Sequence, residues 1–423
     1  MNLILKNAII VDSKSNHHFQ KKDILIESGT IKKIENDIKA KDEKIISFKN
    51  LHVSNGWFDS SVSFGEPGFE ERETLENGLK TSSKSGFTDI ILNPNTNPVI
   101  DSHSSVSHIY KKTNNSATNV HVLASLTKES LGKEIAELYD MHIAGAVAFG
   151  DYKKTLNNPN ILRIALDYVQ SFDGMIMSYL SDFDLSKEGL IHEGNASLKL
   201  GIKGIPEIAE TSILLRDIEI IEYTNGRIHF PFISCEKSLD IIRNAKKRGL
   251  KVTCGVSIGH LYFTDDSLFS YDPNFKIYPP LRSIKDKEAL RNGLLDGTID
   301  LVSSMHEPIN IEHKKVEFSK ALDGSISIES FFGILNGIFT LEKTISFLTN
   351  GKELFKINSP KLEIGEKANL TMFCPDTIYN LKEENIISKS KNCAFINSSL
   401  KGKVFGIING ESIVLNNEWS FKL

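Results

Sequence analysis

Asp59, Ser61, Ser63 and Gly65 fall at two-residue intervals in Gly56-Trp-Phe-Asp-Ser-Ser-Val-Ser-Phe-Gly-Glu-Pro-Gly-Phe-Glu70. A strand has a side-chain period of two, so these residues share one face and present a carboxylate and two hydroxyls together. Hydroxyls become nucleophiles only beside a general base. The chain has no Gly-x-Ser-x-Gly elbow to hold such a serine, so a serine hydrolase is a poor reading. Cys235, Cys254, Cys374 and Cys393 lie far apart with no C-x-x-C pair, which gives neither a zinc ribbon nor a disulfide framework. Cys235 and Cys254 read as small buried apolar residues.

The elements that must position this chemistry alternate. Leu51 to Phe58 reads as a buried strand, the Glu66-Pro-Gly turn stops it, and Glu70 to Lys80 reads as a helix. Further strand-like runs follow at 89–92, 120–124, 146–149, 175–178, 227–233, 251–256 and 299–303, with helical stretches such as Leu239–Arg248 and Asp286–Leu295 between them. With the opening strand this makes eight βα units, which predicts a parallel (β/α)8 barrel with its chemistry at the C-terminal strand ends. Residues 1 to 54 alternate in short runs that predict a small antiparallel sheet, and 368–373, 403–408 and 412–415 repeat the texture. Lys382 to Lys391 reads as a polar surface run.

The 423 residues, 40% hydrophobic and 25% charged, suit one barrel-sized domain and a small one. A net charge of -4 without a Lys/Arg cluster argues against nucleic acid. No 18-residue apolar run exists, and Met1-Asn-Leu-Ile-Leu-Lys is charged too early for a signal peptide, so a cytoplasmic protein away from membranes is expected.

The segment Asp59 to Thr74 resembles the dihydroorotase signature Asp-x-His-x-His-x-Arg-Glu-Pro-Gly-Phe-Glu followed by Glu-Thr. Asn93-Pro-Asn-Thr-Asn-Pro98 is similar to the family's Met-Pro-Asn-Thr-x-Pro, and Gly145-Ala-Val-Ala-Phe149, His192-Glu-Gly194, Gly201-Ile-Lys-Gly-Ile-Pro206, Lys276-Ile-Tyr-Pro-Pro-Leu-Arg282 and Gly297-Thr-Ile-Asp300 also fit its pattern. The chain is thereby identified as a member of the dihydroorotases, cyclic-amide hydrolases of pyrimidine synthesis. The resemblance implies an α/β fold, a TIM-like amidohydrolase barrel over 55–362 with a β-sandwich built from 1–54 plus 363–423. Allantoinase and dihydropyrimidinase fit less well, because Glu66-Pro-Gly-Phe-Glu70 and Glu73-Thr74 follow the dihydroorotase pattern.

The family's binuclear zinc centre uses four histidines and two aspartates, and zinc needs three or four N, O or S ligands at about 2.0–2.3 Å. Here Ser61 and Ser63 stand for the first two histidines. Tyr179, in Ser178-Tyr-Leu-Ser-Asp182 against Ser-His-Cys-Glu-Asp, replaces another. Phe232, in His229-Phe-Pro-Phe-Ile-Ser-Cys235 against His-x-x-His-Val-Ser-Thr, replaces the fourth. Met305, in Ser303-Ser-Met-His-Glu-Pro-Ile309 against Ala-Thr-Asp-His-Ala-Pro-His, takes the place of the proton-shuttling aspartate. Asp151, in Phe149-Gly-Asp-Tyr152 against Phe-Ser-Asp-Asp-Gly, is the one retained candidate ligand. No zinc is expected, and no catalytic residue is intact. Gly65 replaces the arginine that grips a substrate carboxylate. Tyr278 replaces an asparagine and Ile309 a histidine, and Asn95 is a vestige of substrate binding. His229 precedes Phe232 by three residues, so strand alternation predicts that it faces the other way as a structural histidine. Asp59 and Glu66 read as structural.

These departures imply a non-catalytic homologue at the carbamoyl-aspartate/dihydroorotate step. Silent dihydroorotases are companions of aspartate transcarbamoylase, so a structural or regulatory role beside that enzyme, as a homodimer, is what the resemblance implies. The alternative is an active cyclic-amide hydrolase with one atypical metal at Asp151, His260 and His306. A second, intact dihydroorotase in the source genome would separate the two.

Overall fold

The protein, here a computed structural model, is described over residues 2–416. Strands β1 (Asn2–Ile10), β2 (Lys21–Glu27), β3 (Thr30–Glu35), β4 (Lys44–Ile46) and β5 (His52–Asn55) come first. They join β16 (Asn369–Asn380), β17 (Ser399–Asn409) and β18 (Ser412–Leu415) in one sheet of order β18-β17-β16-β5-β1-β2-β3, with β4 beside β1. The expected antiparallel N-terminal sheet is mixed: β1-β2 and β2-β3 are antiparallel, but β4 and β5 both run parallel to β1. The parallel return of β5 lets it pair antiparallel with β16 and so stitches the two ends of the chain together. This unit has its own core, including Leu3, Ile24, Leu370, Met372 and Phe405. It closes where Thr30 bridges Lys367, a crossing so tight that a Cβ on Gly29 (φ +73°) would lie 2.7 Å from the Gly410 carbonyl carbon.

The strand read as Leu51 to Phe58 is two strands that part at Gly56. There a Cβ would meet Thr88 Oγ1 at 2.1 Å and Asn369 Oδ1 at 2.2 Å, so only glycine lets the chain pass from one unit to the other. Barrel strands follow: β6 (Trp57–Val62), β7 (Phe87–Leu92), β8 (Asn119–Ala124), β9 (Ala148–Phe149), β10 (Ile176–Met177), then, beyond the small pair β11 (Ile191–His192) and β12 (Gly204–Ile205), β13 (Arg227–Phe230), β14 (Lys251–Ser257) and β15 (Leu301–Ser303). The eight barrel strands order sequentially from β6 to β15 and their registered pairs are parallel. Closure comes from a Val62–His306 bridge and from Ser63 N–H donating to His306 O at 2.8 Å.

Helices α1 (Leu75–Lys84), α2 (His103–Thr113), α3 (Leu138–Ile143), α4 (Pro159–Val169), α5 (Phe183–Ser186) and α6 (Asn195–Leu200) follow the first five barrel strands. Helices α7 (Ile208–Thr224), α8 (Glu236–Lys247), α9 (Ile258–Tyr262), α10 (Ile284–Leu295), α11 (Ile328–Ile338) and α12 (Leu341–Thr349) complete the set. The helix expected from Glu70 begins only at Leu75, because Thr74 caps it by accepting from Asn77 N–H, and Glu66 Oε2 accepts from Leu75 N–H at 2.9 Å. No helix among the described residues is long and apolar enough to cross a membrane.

The barrel interior is packed, with Phe58, Ile91, Leu123, Met177, Leu301 and Phe355 in one cluster. At its N-terminal end, Lys352 and Asp89 form a fully buried ion pair at 2.7 Å, which His121 (3.0 Å to Asp89) and Asn369 (3.1 Å from Lys352) complete. Those contacts join the barrel floor to the sandwich.

Candidate functional site

The C-terminal strand ends gather the six positions where the resemblance places metal ligands, and all six are buried. Ser61, near the end of β6, and Ser63, just after it, face Asn93, which follows β7. Asn93 Nδ2 donates to both hydroxyls at 3.0 Å, and Ser63 Oγ donates to Asn95 Oδ1 at 3.0 Å. The hydroxyls are thus bound to amides, with no base positioned to activate them. Asn95 spends its carbonyl on Ser63 in the same exchange. Tyr179, Phe232 and Met305 join the interior cluster, with the Tyr179 ring 6.1 Å from that of Phe232 and 5.4 Å from Tyr152. Met305 sits at φ 53°, a left-handed backbone that Asp or Asn takes up more readily than Met.

Asp151 does not point at this centre. Its Oδ1 accepts from Ser125 Oγ (2.7 Å) and from the N–H groups of Leu126 (2.9 Å) and Thr127 (3.0 Å), and its Oδ2 accepts from Thr127 Oγ1 (2.5 Å). The carboxylate is therefore committed to the loop after β8. His260 accepts from Ser257 Oγ at Nδ1 (2.7 Å) and donates from Nε2 to Pro280 O (3.2 Å). His306 accepts from Ser327 N–H at Nδ1 (3.1 Å). The structure does not bring Asp151, His260 and His306 together. Among the described residues, the set of His, Cys, Asp or Glu groups close enough to share an ion is His192, Glu207 and Asp286. That set is also committed, with His192 Nδ1 accepting from Arg282 (3.1 Å), Glu207 paired with Lys237 (2.8 Å) and Asp286 capping α10.

His229 departs from the parity reading. β13 stops at Phe230 and Pro231 breaks the alternation, so both His229 and Phe232 face the interior, His229 against Phe355 with its Nδ1 3.0 Å from Thr253 Oγ1. It remains a buried histidine. Asp59 Oδ1 accepts from Ser61 N–H (3.3 Å) and Ser304 N–H (3.1 Å), and burial raises its pKa to about 7.

Burial lowers the pKa of His260 to about 4 and of His306 to about 3. Both rings take up a proton only after unfolding, so their contribution to stability is complete above pH ~6.5 and declines as the pH falls toward the folded values. Unfolding free energy is expected to drop by about 2 kcal/mol for the pair between pH 7 and 5.5. Urea titrations across that range would check it, with His306→Gln flattening the slope.

The segments that carry the resemblance converge elsewhere, on Arg282. Its guanidinium donates to Ser234 Oγ (2.9 Å), to His192 Nδ1 (3.1 Å), to Ile205 O (3.3 Å) and to Glu210 Oε2 (3.5 Å). Glu210 also accepts from Ser234 N–H (3.0 Å) and Ser238 Oγ (2.6 Å). A buried polar network is stable only when every member is satisfied, which explains why these residues hold together as a scaffold.

Three features escaped the sequence reading. Asn93 stands where the quoted family pattern has methionine, and it bonds the two serines. Tyr152 and Lys153 stand where the pattern has Asp-Gly, and Glu307 where it has alanine; Lys153 and Glu307 form a largely buried ion pair across the mouth. The Tyr152 hydroxyl faces Ser61 and Ser63, and burial pushes its pKa upward. The quoted patterns held each signal, but only the pairing across strands gives them meaning. A cavity of about 430 Å³ remains to one side, lined by Ser130, Asp151, Lys153, Lys154, Ser181 and Tyr278 but by none of Ser61, Ser63, Phe232 or Met305. The donor set at the centre therefore does not fit the two zinc ions that the resemblance implies.

A Dihydro-orotase-like family model matches residues 52–238. The chain is 34% identical over 423 residues to a dihydroorotase of Ruminiclostridium cellulolyticum, covering 98% of this chain and 99% of the relative. It is likewise 34% identical to a dihydroorotase of Pelotomaculum thermopropionicum, with 99% of each chain covered. Among solved structures it superposes on the L-hydantoinase of Arthrobacter aurescens with TM-score 0.85 at 20% identity, over 98% of this chain and 96% of that one. For the dihydropyrimidinase of Brevibacillus agri the TM-score is 0.84 at 18% identity, over 99% and 96%. Those two likenesses establish the barrel-and-sandwich fold.

Proposed function

The chain belongs to the dihydroorotase family, and we propose that it is a non-catalytic member, a dihydroorotase homologue of de novo pyrimidine synthesis that works without the family's metal chemistry. The single observation that carries this reading is the redeployment of the ligand positions: two are serines tied to Asn93, three are an aromatic and apolar plug, and the remaining carboxylate holds a loop. Activity through one metal at Asp151, His260 and His306 would require breaking the four bonds to Asp151 and both partners of His260.

What is left to do is carried by surface. We infer a structural or regulatory role in the cytoplasm beside aspartate transcarbamoylase, the enzyme of the preceding step. Adding the chain to the transcarbamoylase of the same source is expected to give co-elution on sizing and a change in that enzyme's stability or rate. Separate elution with unaltered carbamoyl transfer would count against the partnership and leave the metal argument standing.

A further inference from the structure

The cavity beside the plugged centre has walls that depart from the family pattern. It measures about 430 Å³, the size of a pocket for a small metabolite, and it lies where a barrel keeps its binding groups, among the loops that follow β8, β9 and β10. Lys153 stands there for glycine, Ser181 for glutamate and Tyr278 for asparagine. The first two changes add an ammonium and remove a carboxylate, so both shift the wall toward positive charge. Ser181 and Tyr278 have changed as a pair, because their hydroxyls bond each other, and Ser181 Oγ donates on to Ser186 Oγ at 3.1 Å. Lys153 holds φ 55°, a left-handed backbone that glycine takes freely and lysine does not. A conformation of that kind persists where the side chain it carries is needed.

Two ammonium groups thus stand in sequence on the loop after β9. Lys153 pairs with Glu307 and Lys154 donates to Ser130 O at 3.1 Å, and since an ammonium carries three donors, each keeps donors to spare. The carboxylates in the wall are compensated from outside it. Asp151 accepts four hydrogen bonds from the loop after β8, and Asp323 lies within electrostatic reach of the buried Lys276 and Lys314. What the cavity offers a solute is therefore positive charge, with the hydroxyls of Ser130, Thr155, Ser186 and Tyr278 around it. Among the described residues the lining holds no arginine, and so lacks the planar fork that grips carboxylates. Ammonium and hydroxyl donors suit the tetrahedral oxygens of a phosphate, whose charge of roughly -2 at neutral pH matches the lysine pair. Phe183, Leu190 and Ile205 add apolar surface against which an organic body can rest.

We propose that this cavity binds a phosphate group, held by Lys154 and Lys153, with any organic body it carries set against Phe183 and Leu190. The site goes beyond the reading of the plugged centre, and its binding is measured without turnover, so either conclusion can fail alone. Calorimetric titration of the full chain is expected to show binding of ribose 5-phosphate and none of ribose. Lys154 is exposed, so Lys154→Met keeps the fold and should weaken the ester about tenfold or more. The charges predict signs as well. Asn157→Asp adds a carboxylate at an exposed place in the lining and should weaken binding, whereas Asp323→Asn removes one and should tighten it. Lys199→Met, on α6 and outside the lining, should change nothing. Inorganic phosphate binding as tightly as the ester would support a site for the free anion, and tighter binding of the ester would support a phosphorylated metabolite. Ribose 5-phosphate that binds no better than ribose, or that binds Lys154→Met and Asn157→Asp as it binds the wild type, overturns the proposal.

Discussion

Purified chain supplied with zinc is expected to retain well under one ion and to open dihydroorotate no faster than buffer. Hydrolysis of a cyclic amide at neutral pH needs hydroxide, and a bound zinc supplies it by lowering the pKa of water from about 15.7 to about 7. The acceleration at stake is at least about 10⁶-fold, and nothing else at this mouth can provide it. Asp59, with its pKa raised to about 7, is the one carboxylate there tuned for proton transfer, but it is fully buried beneath Ser304 and cannot reach a substrate. Restoring Ser61→His and Ser63→His together is expected to leave the rate unchanged, since Tyr179, Phe232 and Met305 would still offer no ligands and Asp151 would still hold Leu126 and Thr127. Metal-dependent turnover that a chelator removes and that Asp151→Asn abolishes would instead establish the single-metal reading. Elemental analysis and a dihydroorotate assay decide between the two outcomes.

Much of this was legible in the chain, for reasons that lie in particular residues. Eight βα units announce themselves because parallel strands covered on both faces read as apolar runs separated by helices. The departures from the family's ligand types are legible because a ligand is a single side chain whose type decides whether it can bind a metal, as with Phe232 and Met305. Direction is harder to read. Asp151 keeps the family's residue type yet turns its carboxylate into a loop, a choice made by Ser125 and Thr127, which are far from it in sequence. His229 faces inward beside Met177 as the alternation of β13 requires, and Phe232, past Pro231, breaks the parity between the two. Gly56 separates two domains by its lack of a side chain, so an apolar run passes through it without a visible break. Compensating pairs such as Lys153 with Glu307 are visible only once the strands that carry them are side by side.

If the mouth has become core, its residues should behave as core when replaced. Phe232 is 4% exposed and packs with Tyr179 and Met305, so Phe232→Ala removes a buried ring and leaves a cavity, and is expected to cost about 3–5 kcal/mol. An active site responds in the opposite sense, because catalytic groups are held at the expense of stability and replacing them commonly stabilises the fold. Tyr179 separates packing from polarity: its hydroxyl is buried without a hydrogen-bond partner among the described residues, and burial pushes its pKa upward. Removing an unsatisfied buried hydroxyl while keeping the ring relieves a desolvation cost, so Tyr179→Phe is expected to be neutral or to stabilise by about 1 kcal/mol. Denaturant unfolding of the two variants measures both effects. A Phe232→Ala protein as stable as wild type, or a Tyr179→Phe protein weakened by more than about 1 kcal/mol, would show that the mouth still pays for a polar function that packing alone does not describe.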